Sequence, residues 1–266
     1  MPFNQVVSVA SVRAPDARHA EIIIPSPEIA RQARPGQFAM LRPEPSNDVL
    51  LARPMSVHAV EGPAGAADRL RFWIKVTGRG TAALARLRAG DRVRVIGPLG
   101  LPFELETASD PPWLVAGGIG VTPLHFWAAD LCARGVRPRF LYAARHASEL
   151  VALEDLRRLP LDLHLATDDG SAGEHGLAGD VLARKIDAGL RGSVFTCGPE
   201  PMMHAVARVA HQRSVPCSAS LENRMACGFG VCIGCVVWRR QSGEQTARPV
   251  RVCVEGTLFD CGELGW

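Results

Sequence analysis

The sequence predicts a multidomain α+β and α/β chain, with antiparallel β structure first, a parallel α/β region second and a small cysteine-rich region last. Three observations carry this. Residues 5–101 are short β-like runs separated by turn residues, and residues from about 113 to 212 alternate strand-like with helix-like segments. Six of the eight cysteines (Cys217, Cys227, Cys232, Cys235, Cys253 and Cys261) lie in the last fifty of 266 residues.

Composition narrows the function classes. Thirty Lys and Arg, nearly all Arg, balance 27 acids for a net charge of +3, which argues against a nucleic-acid or anionic-membrane partner. Eight cysteines are too sparse for a disulfide scaffold. The start, MPFNQVVSVA, has no basic segment leading into an apolar core, so a cytoplasmic, thiol-reducing setting is expected. Residues 111–129 carry no formal charge, but Gly117, Gly118, Gly120 and Pro123 punctuate them as strand, turn and helix start, so no membrane span is expected.

In the first region the runs VVSV, AEIIIP, QFAMLRP, MSVHAV, LRFWIKV and DRVRVIGPLG read as a small antiparallel barrel or sandwich. EGPAGAAD reads as a hairpin loop, and TAALARLRAG as a short helix with Thr81 as N-cap and Gly90 closing it. After the polar stretch TASDPP, the runs PWLVAGG, RPRFLYAA, LDLHLATDD and SVFTCG alternate with helices expected near 123–134, 148–159, 180–188 and 201–212. Strand followed by helix, repeated, means an open parallel sheet whose cofactor site lies beyond the carboxyl ends of its strands. From Cys217 no hydrophobic period is visible. The domain boundaries read from these changes of texture are 1–103, 104–214 and 215–266.

The strongest chemical signal is Cys227, Cys232, Cys235 and Cys253, spaced C-x4-C-x2-C with the fourth cysteine after seventeen intervening residues. That is a plant-type 2Fe-2S spacing. Interleaved Gly228, Gly230 and Gly234 let bare backbone wrap closely and turn N–H groups toward the sulfurs. A structural zinc site and a Cys232/Cys235 dithiol are the alternatives; Cys217 and Cys261 read as buried thiols. The second signal is GGIGVTP, Gly117–Pro123, after the apolar run WLVA. There Gly117, Gly118 and Gly120 would admit a pyrophosphate ahead of Thr122 and Pro123. CGPEPMM sits at the end of the fourth strand of that region, where Cys197, Gly198, Pro199 and Glu200 could border a flat ring, a small buried hydrophobe being the alternative for Cys197. The third is RPMS, Arg53–Ser56, with WIKVTGRGT after it. Arg53 can fork onto a phosphate, Ser56 can bond a ring, and Gly80 and Thr81 can meet a second phosphate. On its own, an exposed Arg beside a strand-edge Pro means little.

Taken together, RPMS, GRGT, GPLG, GGIGVTP and CGPEPMM occur in the order of the ferredoxin-NADP reductase superfamily, and SLENRMACGFGVCIGCVV with RVCVEGTLFD resembles the electron-transfer subunits of the two-subunit, NAD-linked dihydroorotate dehydrogenases. The resemblance implies a barrel that binds FAD, a domain that binds NAD and a 2Fe-2S domain. Arg53, Pro54, Met55 and Ser56, then Trp73, Ile74 and Lys75, then Gly80 and Thr81 would meet FAD. Met55 departs from the aromatic residue many reductases carry there. The resemblance also implies an FMN-containing dihydroorotate dehydrogenase catalytic subunit, or a similar flavoprotein, as partner in a heterotetramer; a reductase serving ferredoxin or another acceptor is the alternative. No catalytic acid–base pair is expected beyond the cofactors, with Cys197 placed near the nicotinamide. Arg145, after the second α/β strand, could receive a 2′-phosphate, whereas NAD sites more often offer an acid there; the resemblance favours NAD.

Overall fold

The computed structural model describes residues 2–45, 48–62, 66–105, 110–241 and 243–265. The loop EGPAGAAD and the boundary stretch TASDPP fall partly outside them. The chain forms two compact units: residues 1–102, 223–236 and 251–256 make one, and 103–222, 237–250 and 257–266 the other.

In the first unit the β-like runs become β1 (Phe3–Ser8), β2 (Ser11–Arg13), β3 (His19–Pro25), β4 (Phe38–Glu44), β5 (Arg53–Ser56), β6 (Ala59–Glu61), β7 (Arg69–Lys75) and β8 (Arg92–Leu99), with α1 (Pro27–Ala30) and α2 (Arg79–Ala85) between them. They form two four-stranded antiparallel sheets, ordered β1-β8-β4-β5 and β2-β3-β7-β6, and among the described residues these do not join into one closed hydrogen-bonded barrel. The change of sheet is local. The Val57 N–H donates to the Gln37 carbonyl on one side and the His58 N–H to the Arg71 carbonyl on the other, so the chain turns a corner between β5 and β6. Alternation along β8 buries Val93, Val95, Gly97 and Leu99 and leaves Arg94, Ile96 and Pro98 partly exposed.

The helix expected from Thr81 begins earlier. Gly78 is its N-cap and Thr81 its third residue, the Thr81 hydroxyl accepting from the N–H groups of Thr77 (2.9 Å) and Gly78 (3.1 Å). Threonine read as a cap by type instead reaches back from the first turn, as the glutamate of a capping box does. The helix also ends well before Gly90.

The second unit holds a seven-stranded sheet ordered β12-β11-β10-β9-β13-β14-β17. Its members are β9 (Trp113–Gly117), β10 (Arg139–Ala144), β11 (Asp162–Thr167), β12 (Glu174–His175), β13 (Val194–Cys197), β14 (Cys217–Ser220) and β17 (Leu258–Asp260). All neighbours pair in parallel except β14 with β17. Helices α3 (Val121–Ala133), α4 (Leu153–Arg157), α5 (Ala178–Asp187) and α6 (Glu200–Gln212) follow β9, β10, β12 and β13 in the chain. Every residue of β9 is buried, as expected of a central parallel strand. The hairpin β15 (Val236–Arg239) with β16 (Arg248–Arg251) and the short α7 (Val252–Glu255) complete the tail.

Two expectations change here. The helix near 148–159 shortens to α4, because Ala152 takes a left-handed backbone (φ 55°) that interrupts it after a 3-10 turn at Ala147–Glu149. The parallel sheet also extends into the segment from Cys217 that reads as patternless. CSAS, which forms β14, has no branched or aromatic side chain to announce a strand; its pairing with β13 makes it one. Among the described residues no helix is long and apolar enough to cross a membrane.

Candidate functional site

In the second unit the strand order creates a switch point. From β9 the chain moves to β10 on one side, and β13 later returns to β9's other side, so the turns leaving β9 and β13 flank a crevice at the carboxyl edge. Both glycine motifs lie there, in bare-backbone contact. A Cβ on Gly198 (φ +153°) would stand 2.9 Å from Gly117 Cα, and one on Gly120 would overlap the Cys197 carbonyl. Gly118 has φ +51° with open space where its Cβ would be, so only backbone faces the crevice at that point. Thr122, buried, donates its hydroxyl to the Ile119 carbonyl at 3.0 Å and secures the turn, and Pro123 sits in the first turn of α3. Pro199 caps α6, whose first residue, Glu200, is exposed. The Cys197 side chain is fully buried; burial, helped by the charge of Glu222 and opposed by a bond with Ser220, pushes its thiol well above the usual range. Its carbonyl, rather than its sulfur, borders the glycine turn.

The lip of that edge beyond β10 and β11 is an ordered charge network. Arg145 donates to Glu149 through Nη2 (2.7 Å) and Nε (3.2 Å), and His146 Nδ1 lies 3.0 Å from Asp169 Oδ2. Ser171 holds the other Asp169 oxygen through its N–H and hydroxyl. These two partners, Ser171 first and His146 second, keep the Asp169 carboxyl far below the usual range. Glu149, absent from the residues singled out by sequence, has no motif to mark it.

In the first unit, RPMS is β5, all four residues half-buried and paired with β4 (Leu41 with Arg53, Met40 with Pro54, Ala39 with Met55, Phe38 with Ser56). Arg53 donates to the Leu51 carbonyl at 2.8 Å, and its guanidinium lies where a Cβ on Gly80 would be, so Gly80 admits it against the α2 backbone. Arg53 and Gly80 therefore do come together, with Thr81 the next residue of α2. On β7, Ile74 is fully buried and Lys75 half-buried, while Trp73 is buried beneath Arg13, whose guanidinium carbon stands 5.4 Å from the ring centroid. The Trp73 ring is thus covered by this cation.

The cysteine loop belongs to the same unit. Its sulfurs associate two by two, Cys227 with Cys232 and Cys235 with Cys253; among the described residues no three His, Cys, Asp or Glu side chains close on one point as ligands of a single ion would. Burial raises the Cys227 thiol, but N–H groups of Cys232, Phe229 and Val231 and the Cys232 side chain more than offset it, bringing it down to about 6. Burial and the bond with Cys235 push Cys253 up to about 12, against an N–H bond from Gly230. The Gly234 N–H also points at Cys232 Sγ (3.5 Å), and Arg251 secures the loop by donating to the Gly230 carbonyl at 2.9 Å. Paired thiols ringed by backbone N–H donors fit a two-iron cluster, which takes two thiolates per iron and carries negative charge on its sulfurs. Gly228 (φ +82°) packs so closely on Met40 that its Cβ would lie 2.6 Å from Met40 Cγ, placing the loop against β4, the strand beside RPMS. Phe229, Val231 and Ile233 on this loop are exposed. In the second unit, Cys217 and Cys261 lie side by side, Sγ to Sγ 3.4 Å, on β14 and just after β17.

Comparison with known proteins agrees with these features. Residues 222–265 match the family model for the iron-sulfur cluster binding domain of dihydroorotate dehydrogenase B. The chain is 33% identical to the dihydroorotate dehydrogenase B (NAD(+)) electron transfer subunit of Desulforamulus reducens, covering 99% of this chain and 98% of that one. It is 36% identical to that of Geobacillus kaustophilus, over 97% of each. Among solved structures, the NADH-dependent reduced ferredoxin-NADP oxidoreductase studied for flavin-based electron bifurcation aligns with a TM-score of 0.86 and 27% identity, over 100% of this chain and 92% of that one. A ferredoxin NADP+ reductase from Neisseria gonorrhoeae shares the fold at a TM-score of 0.66 and 17% identity, over 84% of this chain and 95% of that one.

Proposed function

The chain belongs to the family of the dihydroorotate dehydrogenase B (NAD(+)) electron transfer subunits, and from that premise we propose that it relays electrons between NAD(H), bound FAD and a 2Fe-2S cluster to or from an FMN-containing catalytic subunit. The cysteine loop carries this reading. A flavin supplies the conversion between a two-electron hydride and the single electrons a cluster accepts. The chain's own task is to bind, orient and exclude water. Gly117, Gly118 and Gly120 open the crevice to a pyrophosphate ahead of Thr122 and Pro123, while Cys197, Gly198, Pro199 and Glu200 line its other wall beside the nicotinamide. Arg53, Gly80 and Thr81 hold the FAD phosphates. Pro54, Met55 and Ser56, with the backbone of the β7 segment Trp73, Ile74 and Lys75, seat its ring system. Cys227, Cys232, Cys235 and Cys253 ligate the cluster.

The exposed Phe229, Val231 and Ile233 form an apolar patch around exposed Cys232 that the catalytic subunit would cover, excluding water where electrons leave. The assembly proposed is two copies of each subunit, in the cytoplasm. A ferredoxin-type acceptor is the second reading, favoured by the close match to an oxidoreductase that acts on ferredoxin. The test is anaerobic purification with absorbance and EPR spectra, iron, sulfide and flavin analysis, and coexpression with an FMN-bearing dihydroorotate dehydrogenase chain. A flavin and 2Fe-2S spectrum with co-elution supports the proposal. A colourless zinc protein sinks electron transfer altogether, and a coloured protein that reduces ferredoxin but ignores the FMN chain selects the second reading.

A further inference from the structure

We propose that Glu149 determines the preference for NAD(H) over NADP(H), by balancing the charge of the Arg145 guanidinium at the ribose end of the crevice. This rests on the nucleotide site argued above. Gly117 is paired with Ala143, so Arg145 stands two residues further along the neighbouring strand direction, at the end of the second strand of the α/β unit. In such sheets that is where the adenosine ribose is read: an acid accepts from the ribose hydroxyls, and an Arg accommodates a 2′-phosphate.

Arg145 occupies the position that would welcome a phosphate, but the Glu149 carboxylate holds its Nε and Nη2, at 3.2 and 2.7 Å, and balances its charge. The arrangement is built rather than incidental. Glu149 closes the 3-10 turn that leaves β10, its N–H donates to the His146 carbonyl at 3.0 Å, and its side chain is only 14% exposed. Beneath the turn, buried Tyr142 donates to the Val151 carbonyl at 2.9 Å. Across the lip, the Ser171 hydroxyl receives the Ala147 N–H at 2.8 Å, joining the turn to the loop after β11.

Charge decides the sign. Asp168 also acts on Arg145, so the carboxylates of Glu149, Asp168 and Asp169 face this lip, Asp169 being paired with His146. A 2′-phosphate, bearing nearly two negative charges, would meet a guanidinium whose charge Glu149 already balances and would sit among the other acids. A ribose diol has no such conflict, because its hydroxyls can donate to the same carboxylates.

The test uses the holoprotein with bound flavin and cluster. Stopped-flow flavin reduction by NADH and NADPH gives the preference, and calorimetric titration with 5′-AMP and 2′,5′-ADP reads the 2′-phosphate alone. Glu149→Gln keeps the shape and removes the charge. It should narrow the NADH:NADPH ratio of kcat/KM by on the order of tenfold and tighten 2′,5′-ADP relative to 5′-AMP. Adding Arg145→Ala should abolish that gain, and Glu149→Asp should retain the wild-type order of preference. An unchanged ratio in Glu149→Gln, or a gain that survives Arg145→Ala, overturns the proposal. If neither nucleotide reduces the wild-type flavin, the nucleotide site itself has been misplaced, which is a separate failure.

Discussion

Cys261 donates its S–H to Cys217 Sγ at 3.4 Å, joining the turn after β17 to β14 in the sheet of the second unit. The two thiols left over from the cluster motif thus have each other. The bond with Cys261 and then burial push the Cys217 thiol far above its usual range, which keeps it protonated and inert. In native, cluster-free protein, iodoacetamide at neutral pH should therefore modify the loop cysteines first, Cys227 with its lowered thiol and exposed Cys232, and leave Cys217 and fully buried Cys197 untouched until denaturant is added. Mass spectrometry of the labelled peptides checks this; early labelling of Cys217 would contradict the pairing.

The cluster and flavin sites should separate on mutation. Cys232→Ser is expected to lose the 2Fe-2S absorbance while retaining FAD and NADH oxidation with an artificial acceptor. Flavin content and iron analysis read the two halves independently. Because Gly228 of the loop packs on Met40, beside β5, concurrent loss of FAD would mean that the two sites fold as one.

Arg53→Ala removes a guanidinium that nothing else in β5 replaces. With charged hydrogen bonds worth about 1.5–3 kcal/mol, FAD affinity should fall roughly 10- to 100-fold. Flavin retained through gel filtration is the measurement, and Arg53→Lys should restore only part of it, since a lysine cannot fork.

At the switch point, Gly198→Ala meets both a left-handed backbone and Gly117 at 2.9 Å. A cost of about 1–3 kcal/mol is expected, seen as a lower Tm together with weaker NADH binding. An unshifted Tm would show that the two turns are not pressed together.

The Glu174 carboxyl is held below the usual range first by its bond from Lys185, with Arg184 assisting against burial. Its folded pKa lies below its unfolded one, so the contribution is present above the carboxylate range and is lost as pH falls through the folded value. The Tm gap between wild type and Glu174→Gln should be small near neutrality and close between about pH 5 and pH 3. A gap that widens on acidification would reverse the sign assigned here.

Much of this was legible in the residues. The parallel strands declared themselves because WLVA, FLYAA and SVF are continuous apolar runs of the length a buried strand needs, and the glycine turns because nothing else tolerates such backbone. The cysteine set was legible from spacing alone, and its members do come together two by two. What could not be read depends on partners distant in sequence. CSAS becomes a strand only beside β13, and the side chain that covers Trp73 comes from Arg13, two strands away. Glu149 is an ordinary surface acid until the turn brings it onto Arg145. Thr81 reads as a cap because a threonine in a first turn and a threonine ahead of it look alike in one dimension.

The contact between Gly117 and Gly198 also bears on how this nucleotide site can be re-engineered. The two turns are eighty-one residues apart and each occupies space that any side chain on the other would need. A loop grafted from another reductase at GGIGVTP would arrive without its counterpart and meet a wall shaped for different atoms. Exchange of cofactor preference by transplantation therefore requires both turns to travel together, whereas the Arg145–Glu149 pair on the lip can be rewritten one residue at a time.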